Sequence, residues 1–352
     1  MKELGGNPGR ASHRLSMASG REVYACRTAA AKMFGALPEN VIFTYNATYA
    51  LNMAIKTSYH GGGIIISDLE HNSVRRPALA LTGDVRVFDS CVELSGEKRT
   101  IKILESIKRL LHGADMLCCT AASNICSATL PIREIGALCK NAGVRFIVDG
   151  AQAGGIYPLD LARDNIDILC LPGHKGLYGP GGSGLMLLGE GVLPEPFIHG
   201  GSGVNSLDAS MPELPPERYE GGTLSVPVIA GLRAGMEFVS GKGIDAIRAH
   251  ETALAARFSK GLMQLGSRVR IFAPECCADG SIMLFRLSSK DPEETASLLD
   301  ERGICVRGGY HCAPLAHERL STGAGGAVRA SFSVFNTAAE VERALAVIAG
   351  LI

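Results

Sequence analysis

The stretch Arg145–Gly184 reads RFIVDGAQAGGIYPLDLARDNIDILCLPGHKGLYGPGGSG. Two short apolar runs, Phe146–Val148 and Ile166–Leu171, have the length and composition of buried strands. Asp149 closes the first. Lys175 lies just past the second, in a turn made by Pro172, Gly173 and Gly176, and the glycine-rich segment Gly179–Gly184 follows. In an open α/β sheet, ligands bind at the carboxyl ends of the strands. One carboxylate and one amine are therefore aimed at the same place from consecutive sheet positions. The pair suits a carbonyl cofactor: the amine makes an imine, and the acid keeps a ring nitrogen protonated. That is the chemistry of pyridoxal phosphate. An aspartate on magnesium would instead need a G-x-x-x-x-G-K-[ST] loop, which the chain lacks.

Outward from this stretch, short strands alternate with helices. Strands are predicted at Val41–Phe43, Ile64–Ser67, Asp84–Phe88, Asp115–Thr120 and Leu185–Leu188. Helices are predicted at Ser19–Phe34, after Thr48, after Ser73 (broken by Pro77), at Thr100–Leu111 and from Pro131 to Asn141. The alternation predicts a mostly parallel sheet with helices on both faces. Residues 199–225 read as loop, and Pro227–Phe238 and Ile244–Leu265 as helices. Strands at Arg268–Phe272, Ser281–Phe285 and Cys305–Arg307, a helix at Pro292–Glu301, a strand starting at Arg329 and a last helix from Ala338 predict a smaller α/β unit. The expected division is a large domain over 12–240 and a small C-terminal domain over 241–352, with 1–11 a polar leading segment.

Composition narrows the function class. The 352 residues carry 35 basic and 35 acidic side chains, so no nucleic-acid footprint or membrane-surface patch is expected. No apolar run reaches the roughly 18 residues of a spanning helix, and the amino terminus has no apolar core of the signal-peptide kind. Eleven cysteines, an odd number without any C-x-x-C spacing, predict a reducing, cytoplasmic setting and no structural metal. Glycine is high at 43 residues, and the excess is assigned to turns and phosphate contacts.

Further residues join the Asp149–Lys175 pair. Thr44-Tyr-Asn-Ala47-Thr48 runs from a strand into a helix start, either a phosphate cradle or an ordinary Asn/Thr cap. His71 follows a strand and could stack on a pyridine ring, shuttle protons or be structural. Asn124 repeats that position one strand over. Gln152 could donate to the ring oxygen or pyridine edge, or cap a helix. Cys312 sits in the polar loop Arg307-Gly-Gly-Tyr-His-Cys-Ala-Pro314, unlike the other cysteines, which lie mostly in apolar or helical contexts. A thiol there is either a thiolate nucleophile or inert. Arg307 and Arg329 are candidate carboxylate clamps, a rim salt bridge being the alternative for Arg329.

Taken together, Asn-Ala-Thr48, Glu-His71-Asn, Ser-Asn124, Val-Asp149-Gly-Ala-Gln152, Gly-His174-Lys175-Gly, Gly-Gly-Thr223, Arg307-x-Gly-x-His311-Cys312-Ala-Pro and Val-Arg329-Ala-Ser-Phe resemble the cysteine desulfurase and selenocysteine lyase branch of the class V aminotransferases. The likeness spans Gly9 to Thr337. It implies the PLP-dependent fold type I, the aspartate-aminotransferase-like α/β fold. It implies that Lys175 is the imine-forming base, that Asp149 holds the pyridine nitrogen and that His71 stacks on the ring. Gln152 and Asn124 would contact the ring oxygen region, and Ala47, Thr48 and His174 the phosphate. Thr223 would reach the phosphate of a partner subunit, making a homodimer with two shared sites. Arg329, helped by Arg307, would grip the carboxylate of L-cysteine or L-selenocysteine. Cys312 would take the sulfur as a persulfide and pass it to an acceptor protein, leaving alanine.

Two departures from the family pattern stand out. The strand carrying Asp-Asn-Ala-Ala-Thr at the start of relatives is missing, and Pro172 replaces a serine or threonine near the phosphate. The readings carried forward are a cysteine desulfurase, a selenocysteine lyase, another class V aminotransferase or carbon–sulfur lyase, and a shortened non-catalytic paralogue that binds the cofactor.

Overall fold

The computed structural model describes residues 5–8, 13–276 and 279–352. Most of the leading segment 1–11 lies outside the described residues. In chain order the elements are α1 (Arg14–Phe34), β1 (Val41–Thr44), α2 (Ala47–Thr57), β2 (Gly63–Ser67), α3 (Asn72–Leu81), β3 (Val85–Phe88), α4 (Gly96–Lys108), β4 (Ala114–Thr120), α5 (Ile132–Ala142), β5 (Arg145–Asp149), β6 (Ile168–Pro172) and β7 (Gly184–Leu188). Then follow α6 (Val226–Lys242), α7 (Ile244–Gln264), β8 (Val269–Ile271), β9 (Ile282–Leu287), α8 (Pro292–Asp300), α9 (Pro314–Arg319), β10 (Val328–Ser331) and α10 (Ala338–Gly350).

Strands β1 to β7 make one sheet in the order β1-β7-β6-β5-β4-β2-β3. Strands β3, β2, β4, β5 and β6 are parallel, and β7 runs antiparallel to both β6 and β1. The carboxyl ends of β1 to β6 consequently share one edge. Strands β2, β5, β6 and β7 are near-continuous apolar runs because both sheet faces are covered. One face packs on Ile103, Ile135, Phe34 and Leu232; the other packs on α2 and α3 through Leu51, Ala54, Val74 and Ala78. A second, antiparallel sheet, β10-β9-β8, packs on α7, α8 and α10 through Phe258, Phe285, Leu299 and Ile348. Gly243, at φ 85°, separates α6 from α7.

Three expectations are corrected. Helix α1 begins at Arg14 rather than Ser19, because His13 caps it: its Nδ1 accepts from the Ser16 amide at 3.2 Å, and the buried face continues through Ser16. Pro77 does not break α3. Its ring is buried beside Val74 and Ala78, and that packing offsets the single hydrogen bond its missing N–H forfeits. Cys305–Arg307 is not a strand; only an isolated bridge joins Arg307 to Arg329. Gly309 takes φ 101°, outside the extended region, so although it exchanges two further backbone hydrogen bonds with Ala327, at 3.1 and 3.2 Å, the contact stays a set of isolated bridges rather than a regular strand. No helix among the described residues is long and apolar enough to cross a membrane.

Candidate active site

Five of the predicted site positions follow five of the six strands whose carboxyl ends share an edge: Ala47 and Thr48 after β1, His71 after β2, Asn124 after β4, Asp149 at the end of β5, and His174 with Lys175 after β6. They are dispersed over nearly 130 positions of chain, and sheet topology alone gathers them.

Asp149 is buried. One carboxylate oxygen accepts from the Ala151 amide at 2.9 Å. Burial pushes its pKa up, against the pull of that hydrogen bond and of the nearby Lys175 charge. Lys175 has its surface open to the cleft, yet protein surrounds the amine on most sides. That burial lowers its pKa, and Arg329 lowers it further, while Asp149 opposes. A lysine depressed in this way keeps more of the free amine that imine chemistry needs. What brings the two side chains to one place is close backbone packing. Gly155 sits at φ 85°, and a Cβ there would overlap the carbonyl oxygen of Gly176; one on Gly176 would overlap that of Gly154. The turn after Asp149 and the turn around Lys175 therefore interlock, and only glycine permits it. Gly184, the last glycine of the segment after Lys175, packs against the backbone of Asn46.

At the start of α2, the Asn46 side chain accepts from the Tyr49 amide at 2.9 Å. The amides of Ala47 and Thr48 belong to the first turn, which has no intrahelical acceptors, so they are donors available to an anion. The Thr48 hydroxyl lies 2.7 Å from Ser73 Oγ, which lies 2.8 Å from His71 Nδ1. His71 caps α3, its Nδ1 accepting from the Ser73 amide at 3.0 Å. The neutral ring therefore carries its proton on Nε2. Burial lowers its pKa, and the charges of Lys175, Arg307 and Arg76 lower it further. Ser73 joins phosphate-side and ring-side residues and went unnoticed in the sequence, where nothing marks it. Behind Asp149, Glu70 is wholly buried, accepting from the Thr120 amide at 2.9 Å and from Ser67 Oγ. Burial pushes its pKa up to about 8.

Arg329, on β10, lines a cavity of about 400 Å³ together with Lys175, His174, Gln152, Tyr178 and Glu251. Its NH1 donates to the Asn124 carbonyl at 2.8 Å, while its Nε is buried without a partner. An unsatisfied guanidinium donor beside a depressed amine fits an anionic ligand. Arg307 is exposed and exchanges two backbone hydrogen bonds with Arg329, at 3.1 and 2.8 Å.

Cys312 is exposed, and among the described cysteines only Cys305 shares that state. His311 and Cys312 both take left-handed backbone conformations, φ 53° and 58°. For residues other than glycine, each such conformation costs about 1–3 kcal/mol and persists only where surroundings impose it. The impositions are visible: the Cys312 carbonyl accepts from the Asn72 amide at 2.8 Å, and the His311 carbonyl from Asn124 Nδ2 at 2.8 Å. The thiol loop is thus fastened to the loops after β2 and β4. Asn124, expected at the ring oxygen, gives one amide N–H to this fastening. Thr223 lies on an exposed segment outside the cavity lining; three residues before it, Glu220 is anchored by the Phe43 amide at 2.7 Å and by Arg27.

The donor set fits pyridoxal phosphate. It combines an anion-seeking helix start, a buried carboxylate, a depressed lysine and an imidazole on one sheet edge. The comparisons agree with the geometry. The family model described as aminotransferase class-V matches residues 1–344. A curated protein of Pyrococcus abyssi, "Probable cysteine desulfurase", is 30% identical over 98% of this chain and 87% of its own length. "Cysteine desulfurase" of Cronobacter sakazakii is 30% identical over 97% and 85%. The solved apo cysteine desulfurase of Thermococcus onnurineus superposes with a TM-score of 0.87 at 28% identity, covering 99% of this chain and 88% of that one.

Proposed function

We propose, from the premise that this chain belongs to the class V aminotransferase family in its cysteine-desulfurase branch, that it converts L-cysteine to L-alanine and receives the sulfur on Cys312. Membership carries the fold, PLP-dependent fold type I, and the activity class, a pyridoxal-phosphate-dependent enzyme. The cofactor, when bound, supplies an electron sink for the carbon from which a proton is removed. Lys175 would hold it covalently and afterwards move the proton of the substrate α-carbon on its Nζ. Asp149 would keep the ring nitrogen protonated, and His71 would cover the ring face. The amides of Ala47 and Thr48, with His174, would hold the phosphate, and Gln152 the ring oxygen. Arg329 would pair its guanidinium with the substrate carboxylate, with Arg307 adding charge. The Cys312 thiolate attacks the substrate sulfur; an S–S bond forms as the Cβ–S bond breaks, and the three-carbon skeleton takes up protons and leaves as alanine. Exposed apolar side chains at Tyr24, Tyr45, Leu207 and Leu214 support pairing of two such chains, with Thr223 facing the partner's site.

One observation carries this reading: an exposed thiol in a strained turn, tied to the loops that also bear His71 and Asn124. The test is alanine and sulfide release from L-cysteine by cofactor-loaded protein under reducing conditions. Cys312→Ser is expected to lower both by about a hundredfold or more while the cofactor absorbance stays. Undiminished alanine release by Cys312→Ser would assign the protein to another class V reaction.

A further inference from the structure

Beneath the Cys312 turn lies a buried pair of imidazoles with no part in the chemistry above. His311 and His317 are each 2% exposed. His311 Nε2 lies 2.9 Å from the Arg307 carbonyl, His311 Nδ1 lies 3.1 Å from His317 Nε2, and His317 Nδ1 lies 2.9 Å from Thr322 Oγ1. A carbonyl only accepts, so His311 carries its proton on Nε2 and presents a bare Nδ1. His317 must then donate from Nε2, which leaves its Nδ1 to accept from the Thr322 hydroxyl. One directional chain results: Thr322 to His317, His317 to His311, His311 to the Arg307 carbonyl. Every ring nitrogen is satisfied with both rings neutral. Burial holds both in that form, pushing each pKa down to about 4.

The place of the chain gives it a task. The residue it grips, His311, is the first of the two left-handed residues, and Cys312 is the second. The carbonyl at its far end belongs to Arg307, whose backbone is bonded to that of Arg329. We propose that His317, acting through His311, is a positioning residue for the sulfur-accepting thiol: the imidazole pair holds the left-handed turn that presents Cys312 and locks it to the carboxylate clamp. This rests on the reading that Cys312 takes the sulfur.

The test compares cofactor-loaded wild type with His317→Leu, His317→Gln, Thr322→Val and Cys312→Ser. Leucine removes the donor to His311; glutamine places an amide N–H near the same point; valine removes the hydroxyl that fixes the His317 tautomer. His317→Leu is expected to lower kcat for alanine formation about tenfold with KM within about twofold, and glutamine to recover most of it. Thr322→Val is expected to lower kcat about threefold. Amide hydrogen exchange in His317→Leu should quicken at 309–313 and not along β9 or α10. Unchanged kcat in His317→Leu, no recovery by glutamine, or faster exchange throughout the small sheet would overturn the assignment. If His317→Leu does not fold, Thr322→Val decides alone, and wild-type kcat in that variant overturns it. The two failures are distinguishable: activity retained by Cys312→Ser sinks the sulfur-transfer reading, whereas an inactive Cys312→Ser beside an unimpaired His317→Leu sinks only the positioning role.

Discussion

The Asp149–Lys175 edge is assembled from near neighbours in sequence; the Cys312 turn is held from outside itself. In the first region, two consecutive strands end side by side, and interlocked glycines seat one turn in the other. Its geometry is a property of backbone packing. In the second, a short loop with two left-handed residues is fastened by Asn72, Asn124 and a histidine chain that ends at Thr322. Its geometry is a property of hydrogen bonds, two from distant segments and the rest from the chain of side chains just after it. The difference teaches which kind of change each region tolerates. The first should fail by volume, the second by loss of a donor.

The largest expected effect concerns the amine. Lys175→Ala should leave nothing for borohydride to fix: mass spectrometry of reduced, cofactor-soaked wild type should show the adduct on the Lys175 peptide, and the variant should show none. An adduct on another lysine with Lys175 unmodified would remove the first region from the site.

Next, volume and donor changes should separate. Gly155→Ala puts a methyl group into the Gly176 carbonyl at a left-handed position, and its expected cost is about 2–4 kcal/mol, read as a lower denaturation midpoint. Asn124→Ala should cost about 1 kcal/mol in the same titration, yet lower kcat about tenfold by releasing the His311 carbonyl. Equal stability losses in the two variants would erase the contrast.

The smallest effect is in pH. His311 and His317, with pKa values pushed down to about 4, stay neutral where unfolded histidine, near 6.5, takes a proton. The unfolded chain binds more protons in that window, so stability present above about pH 6.5 is lost as pH falls toward 4. Glu70 works oppositely. Its pKa is pushed up to about 8, so the folded chain holds a proton that the unfolded chain has released, and stability falls as pH rises from about 4.5 to 8. Thermal melts at pH 6 and pH 8 should show a smaller fall for Glu70→Gln than for wild type. An identical fall would place another group behind the slope.

Much of the first region was legible because its causes are local. An apolar run ending in Asp149, another ending before Lys175 and glycines between them announce strands, a shared edge and close turns. The small unit was legible more coarsely. Cys305–Arg307 looked like a strand from its own residues, yet the backbone there makes only isolated bridges, at Arg307 and at the left-handed Gly309. Pro77 looked like a helix breaker, because the cost of a missing N–H is local while the burial that offsets it comes only with the fold.

The sequence by itself determined the alternation of strands and helices, the Asp149–Lys175 pair and the singular context of Cys312, since periodicity, strand ends and turn residues act over a few positions. The tertiary structure alone decided that Ser73 links Thr48 to His71, that Asn124 holds the His311 carbonyl, and that His317 completes a chain beneath the thiol. Those relations join residues that share no local pattern; they exist only once the folded backbone sets a donor and an acceptor within about 3 Å of each other.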